Sequence, residues 1–275
     1  MASLAIPQSL VQRFTDSIFK ISRERPILFI LSLAGVFSSV SWMVYDYRSF
    51  KSIGKGGVPY NVFGWLAVTL LRPISRSQKS LTNTSDLDRL VKQIANEEGE
   101  KAVFKRLTLS QRRGERPTVR GIIPQRQVDK FGSPELTGNL NKFVSYLSST
   151  YPTILRIAPS AWEGHNDALF LVREHPASLK SDLLSERVLA KAYSRLEILH
   201  VHPSDGSLHA SLSPADASEV IRQGWGTFHT LSGRYKDLPV TYVMLYAPRD
   251  NEEVQVVKKI IAAAVEYASG LDVTE

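Results

Sequence analysis

The chain has 275 residues, 43% apolar and 22% charged, so a packed core is within reach and general disorder is excluded. It contains no cysteine, which excludes disulfides, thiolate nucleophiles, zinc ribbons and Cys-ligated iron. The net charge of +7 raises nucleic acid or an anionic membrane surface as partners, but no nucleic-acid motif accompanies it, so nucleic acid is not expected.

From Pro26 to Tyr45 the chain reads PILFILSLAGVFSSVSWMVY, twenty residues without a charge. At the helical rise this spans roughly 30 Å, the thickness of a hydrocarbon core. Arg23 and Arg25 flank one end and Asp46, Arg48 and Lys51 the other, and Trp42 and Tyr45 suit an aromatic belt. A core helix of this length would show a polar face. The expected organisation is a tail over 1–25, a single transmembrane anchor over 26–45, a juxtamembrane segment and linker over 46–80, and a folded domain over 81–275. Val58 to Leu71 is too short to span and reads as interfacial or packed on the domain. Lys and Arg nearly balance across the span. The missing cysteines tilt the expectation to a single-pass endoplasmic reticulum protein whose domain faces the cytosol, with membrane lipid as a partner. The sequon Asn83-Thr84-Ser85 matters only if that domain is lumenal.

Residues 72–85 read as a basic linker on a membrane surface. Ser85 and Asp88 form a capping box, and Leu87, Leu90, Val91 and Ile94 predict a helix over 86–98. Between Lys101 and Arg126 there are eight Lys or Arg and one acid, Glu115; a solvated basic loop and an anionic-lipid contact are the two readings. Helical spacing returns over 136–147, strands are predicted near 154–158 and 168–172, and a short helix over 183–193. Two strands then flank Asp205-Gly206, a two-residue hairpin signal. Ser213-Pro214-Ala215-Asp216 opens a helix that Gly224 closes, Val240 to Tyr246 is a strand, and Asp250 caps a last helix with an apolar stripe through Ala268. The fold class is α+β, a mainly antiparallel sheet with packed helices, preceded by the single N-terminal transmembrane helix.

Six histidines occur, at 165, 175, 200, 202, 209 and 229. Alternation places His200 and His202 on one strand face. A two-residue turn would pair His202 with His209 and leave His200 diagonal to it. Three clustered imidazoles can bind iron, copper or zinc, with Glu163 or Asp167 as a carboxylate from elsewhere. They can act as general bases and oxyanion stabilisers, or be ordinary polar residues on a half-solvated face. Gly224-Trp225-Gly226 offers close backbone approach and a flat indole for an aromatic ligand, or a helix C-cap with a packed Trp. There is no G-x-S-x-G elbow, Walker loop, dinucleotide fingerprint or H-E-x-x-H.

The segments EILHVH, SLH, EVIRQGWGTFHTLSG and YAPRDNEEVQVVKKII, with DYRSF, the QRQ ending at Gln127 and WEGHNDALFLV, resemble the fungal luciferase family. The matching positions are His165, His200, His202, His209, Trp225, His229, Tyr246 and Arg249; His175 has no counterpart. The resemblance implies a membrane-associated monooxygenase-type enzyme with O₂ as co-substrate, no organic cofactor and no metal. It implies an electron-rich α-pyrone substrate, a hispidin-like polyketide metabolite, that adds O₂, forms a strained peroxide and loses CO₂. The histidines would serve as catalytic acid–base and oxyanion groups. Trp225 and Tyr246 would stack on the substrate, and Arg249 would hold an enolate. A non-luminous paralogue acting on another polyketide or phenolic metabolite is an equal expectation. The alternatives are a non-catalytic membrane-tethered module presenting a metabolite to other biosynthetic enzymes, and a His-ligated metal oxygenase.

Overall fold

A computed structural model describes residues 8–100, 103–172, 196–235 and 238–273, so His175 and the helix expected over 183–193 lie outside the described residues. The chain divides into Met1–Ser52 and Ile53–Glu275. The first unit holds α1 (Gln8–Glu24) and all but the last residue of α2 (Pro26–Ile53). The most apolar 18-residue window of α2 has mean hydropathy 2.1 and none of it is buried. It is the only described helix long and apolar enough to cross a membrane; a signal sequence near an N-terminus meets the same criterion.

In the second unit, residues 53–80 belong to the folded body, where the sequence suggested a juxtamembrane stretch and linker. Val62–Leu71 forms α3, capped by Asn61, whose side chain accepts from the Phe63 and Gly64 amides. Arg76, only 6% exposed, is pinned by its side chain to the Ser232 carbonyl at 3.0 Å and to Asp86 at 3.0 Å. Four cations of the basic run after Lys101 are likewise tied to the domain. Arg106 pairs with Glu266 at 2.9 Å and Arg112 with Glu253 at 2.7 Å. Arg116 donates to the Gly226 and Ile221 carbonyls, and Arg126 pairs with Glu163 at 2.7 Å. These cations strap the chain to the domain, while Lys105, Arg113 and Arg120 are exposed.

The sheet has six antiparallel strands: β3 (Leu155–Pro159), β4 (Asp167–Leu171), β5 (Glu197–Val201), β6 (Leu208–Ser211), β7 (Gly226–Phe228) and β8 (Tyr242–Leu245). Their spatial order is β3-β4-β5-β6-β8-β7. A separate two-strand ribbon pairs β1 (Val119–Arg120) with β2 (Arg126–Gln127). The ribbon and β7 are too short to give a periodic signal.

Four helices complete the layers. α4 (Ser85–Glu98) starts one residue earlier than the capping-box reading: Thr84 is its N-cap, and Asp88 instead ties it to the next layer through Ser218 at 2.8 Å and Arg222 at 2.6 Å. α5 (Pro134–Thr150) is capped by Ser133, α6 (Pro214–Arg222) by Ser213 and α7 (Asn251–Ser269) by Asp250, each side chain accepting a first-turn amide. α5 packs on α7 and β3, α6 on α4 and β7, and α7 on β5 and β6.

One sheet face is therefore aliphatic, with Leu155, Leu169, Leu199, Leu208 and Val243 in the helix-covered core. The other face is also buried but polar: it carries Glu197, His200, His202, His209 and Ser211. Apolar and polar residues alternate along β5 to His202 and along β6, as Leu199-His200-Val201-His202 and Leu208-His209-Ala210-Ser211, yet no residue of either strand is exposed, because both faces of the sheet are covered. Leu169→Ala removes a fully buried core side chain and should cost about 2–5 kcal/mol in urea unfolding. A loss below about 1 kcal/mol would place the core elsewhere.

Candidate active site

The hairpin register differs from the sequence expectation. His200 lies opposite His209, and Val201 opposite Leu208. His202 pairs with Ser207 through its amide at 2.8 Å, and Gly206 donates to the His202 carbonyl at 3.0 Å. The loop is thus Pro203 to Gly206, four residues. Pro203 suits the first central position of a type I turn, and Gly206 at φ +75° takes the left-handed position that closes it. A type I′ turn would have needed Asp205 at positive φ as well. The register moved by two positions in the pair sum, so every residue kept its face. The three imidazoles still cluster, with ring centroids 4.8–5.3 Å apart, and His229 joins at 5.0 Å from His209.

A bulge brings in the carboxylate that the hairpin lacked. Leu169 pairs with Leu199 but Phe170 pairs with Glu197, so Ile198 is an extra residue. Without it Glu197 and His200, three apart, would face opposite ways. With it, His200 Nδ1 sits 2.6 Å from a Glu197 oxygen. That carboxylate is held by the Ser160 hydroxyl at 3.0 Å and the Ala161 amide at 2.6 Å.

The hydrogen-bond partners assign each proton. His200 donates from Nδ1 to Glu197, which leaves Nε2 as a lone pair, and that nitrogen is buried without a partner. Ser207 donates its hydroxyl to Asp205 at 2.7 Å, so it accepts from His202 Nδ1 at 2.8 Å. His202 Nε2 is then the acceptor, 3.2 Å from the Arg126 guanidinium. His229 Nδ1 accepts from the Leu231 amide at 3.1 Å. Both nitrogens of His202 are occupied. His209 stacks on Tyr242 at 5.1 Å and its Nδ1 lies 3.4 Å from the Val243 carbonyl. Of the cluster's nitrogens, His200 Nε2 is the one buried without a hydrogen-bond partner, which makes it the candidate base.

Burial holds His202, His209 and His229 neutral. It pushes His202 and His209 well below the ordinary imidazole range, reinforced by Arg126 and by neighbouring imidazoles. It lowers His229 to about 3 and raises the Tyr242 phenol well above its usual value. A neutral imidazole suits proton abstraction; an imidazolium at these three positions does not form near neutral pH.

A cavity of about 70 Å³ opens on this face. His200, His209, His229, Glu163, Gln125 and Tyr242 supply its polar wall, and Trp162, Leu231 and Leu238 its apolar one. Its cover is tight: a Cβ on Gly57 would stand 1.9 Å from the Trp162 carbonyl oxygen. His200, His202 and His209 can bring one nitrogen each within 4.8 Å of one another, as a metal ion would require. Against that fit, His202 would have to exchange the Arg126 guanidinium for a second cation.

Among the expected site residues, His200, His202, His209 and His229 come together and the others do not join them. His165 is exposed on the loop before β4, its Nδ1 2.7 Å from the Glu163 carbonyl. Trp225 donates its indole N–H to the Ser110 carbonyl at 2.9 Å and sits under Arg112. Tyr246 is on the histidine face of the sheet but four residues beyond Tyr242, about 13 Å along the strand. It too lies under Arg112. Arg249 pairs with Glu253. Burial pushes Glu253 up, but hydrogen bonds from Arg112 and Arg249 outweigh it and hold the carboxyl at about 2. These three residues form a second, structural cluster around Arg112 and Glu253. Sequence reasoning missed Glu197, Arg126, Gln125 and Tyr242. Arg126 and Gln125 carried a signal in the QRQ match and Glu197 as the first residue of EILHVH; Tyr242 carried none.

The neutral histidines predict acid lability. Unfolded imidazoles take up protons below about pH 6.5, whereas folded His229 does not until near pH 3. The unfolded state binds more protons in that window, so stability falls as pH drops through it and is unaffected above it. His229 alone should cost about 1 kcal/mol between pH 6 and pH 5, with His202 and His209 adding in the same sense. Urea unfolding across pH 5–8 checks this; flat stability would contradict neutral burial.

Residues 195–264 match the family model for the luciferase domain. The chain is 30% identical over 229 residues to a luciferase of Neonothopanus nambi, covering 81% of this chain and 79% of that protein. Luciferases of Armillaria ostoyae and Armillaria mellea are each 29% identical over 229 residues, covering 81% of this chain and 80% of theirs. No solved structure matches. The matched span contains Glu197, the hairpin histidines and His229, and with this degree of likeness over most of both proteins the chain belongs to the fungal luciferase family.

Proposed function

We propose that this protein is an O₂-dependent, luciferase-like oxygenase of a hydroxylated α-pyrone or related phenolic polyketide, tethered to a membrane by α2. The observation that carries the reading is the Glu197–His200 pair, whose unpartnered Nε2 belongs to the cavity wall. Ground-state O₂ reacts with an organic molecule only once that molecule is electron-rich. His200 Nε2 takes the enol proton of the substrate, and Glu197 stabilises the imidazolium and keeps its other proton on Nδ1. The enolate passes one electron to O₂, and the radical pair combines into a carbon–oxygen bond, leaving a peroxide anion. Ring closure and cleavage of the O–O bond release CO₂ and the oxidised product. Trp162 and Tyr242 supply flat apolar surface, and the neutral histidines exclude water. The cavity takes the reacting edge of such a ligand, so binding a whole polyketide requires its cover at 160–166 or 229–235 to move. An apolar substrate partitions into lipid, which gives α2 a purpose as an anchor.

Nitrogens of His200, His202 and His209 lie close enough for a bound metal, which is the second reading. Metal analysis of the purified protein, before and after chelation, separates the two.

The oxygenase reading is tested by O₂ uptake with hydroxy-α-pyrones and the full chain in detergent. His200→Ala and Glu197→Gln should each lower turnover by roughly 10²–10⁴-fold, the worth of a positioned base and of its tautomer. His229→Asn should act mainly on stability. Wild-type protein that consumes no O₂ with any of these compounds, or an active His200→Ala variant, would remove the reading.

A further inference from the structure

Two hydrogen-bond acceptors on the same cavity wall have no donor: His200 Nε2 and Gln125 Oε1. Gln125 is 1% exposed, and its amide is fixed. Nε2 donates to the Phe228 carbonyl at 3.1 Å, so the group cannot be flipped and the oxygen is the free end. A third acceptor on that wall, the Glu163 carboxylate, already receives Arg126 and the Asn166 amide, each at 2.7 Å. No side-chain donor on the wall is aimed at the two free atoms. Buried acceptors left unpaired are costly, and a site that keeps two of them favours a ligand that brings the missing protons. A single hydroxyl satisfies one acceptor; satisfying both takes two.

We propose that Gln125 is a specificity-determining residue of this cavity: its amide oxygen receives one hydroxyl of a flat dihydroxylated ring while His200 Nε2 receives the other. The inference rests on the cavity being the substrate site, and it narrows the substrate class to rings carrying two hydroxyl donors. It also gives the base and the selector separate jobs. Gln125 touches the ligand without taking a proton, so its loss acts on binding, whereas loss of His200 acts on turnover.

The test is binding under nitrogen, followed by calorimetry on the full chain in detergent with catechol, resorcinol and phenol, all neutral at pH 7. The wild-type protein should bind at least one of the two diols about 10-fold or more tightly than phenol, because a site built around a hydroxyl penalises its absence. In Gln125→Met that ratio should fall to about 1, with phenol affinity changed less than about 3-fold. Phenol binding as tight as both diols in the wild type, binding of none of the three, or a Gln125→Met protein that keeps the ratio would each overturn the assignment. The wild-type ratio decides the matter by itself if the variant does not fold. Because no O₂ is present, a protein that discriminates diols but later shows no O₂ uptake would refute the oxygenase and leave the role of Gln125 standing.

Discussion

A polar sheet face taken out of water must find a partner for every nitrogen and oxygen it carries, and the second unit of this chain is organised around that requirement. Four imidazoles and two carboxylates are enclosed on one side of the sheet. Isolated charges there would be prohibitively costly, so His202, His209 and His229 stay neutral and the carboxylates are bound to Arg126, Asn166, Ser160 and His200. That pairing commits both nitrogens of His202, to Ser207 and Arg126, and one each of His200 and His229, to Glu197 and the Leu231 amide. What remains free is informative, because an unpaired buried atom in an otherwise satisfied network costs energy that the fold alone does not recover.

The base and its carboxylate depend on a backbone irregularity. Ile198 is the extra residue of a bulge, and it turns Glu197 onto the face that His200 occupies. The same bulge leaves Ile198 and Leu199 both in the apolar core, where a regular strand would send consecutive side chains to opposite faces. Packing on one side of the sheet and chemistry on the other are therefore coupled through one inserted residue.

Much of this was legible in the sequence, and the rest was hidden for physical reasons. Helix starts at Ser133, Ser213 and Asp250 are local signals, set by a side chain and an amide a few residues away. The face shared by His200, His202 and His209 survived an incorrect turn length because a shift of two in the pair sum preserves parity. Glu197 could not be assigned by alternation, since the bulge breaks it. Arg126 read as one more cation in a basic run, and only the tertiary fold shows it buried against Glu163 and His202. Trp225, Tyr246 and Arg249 occur near the histidines in sequence, yet Arg112 and Glu253 gather them into their own cluster. Sequence neighbourhood did not imply a common pocket. The long apolar helix α2 is legible from composition alone because its exposed aliphatic surface needs no tertiary context to be recognised.

The central claim is the proton inventory: neutral imidazoles at His202, His209 and His229, with Nδ1–H on His202 and on His200, where it faces Glu197, and no hydrogen-bond partner at His200 Nε2. Nitrogen-15 NMR of histidine-labelled full-length protein at pH 7 reads each of these directly, with His→Gln variants giving the assignments. The account predicts those three neutral rings, with Nδ1 protonated on His202 and His200. A doubly protonated His202 or His229, or a proton on His200 Nε2 with none on Nδ1, would contradict it.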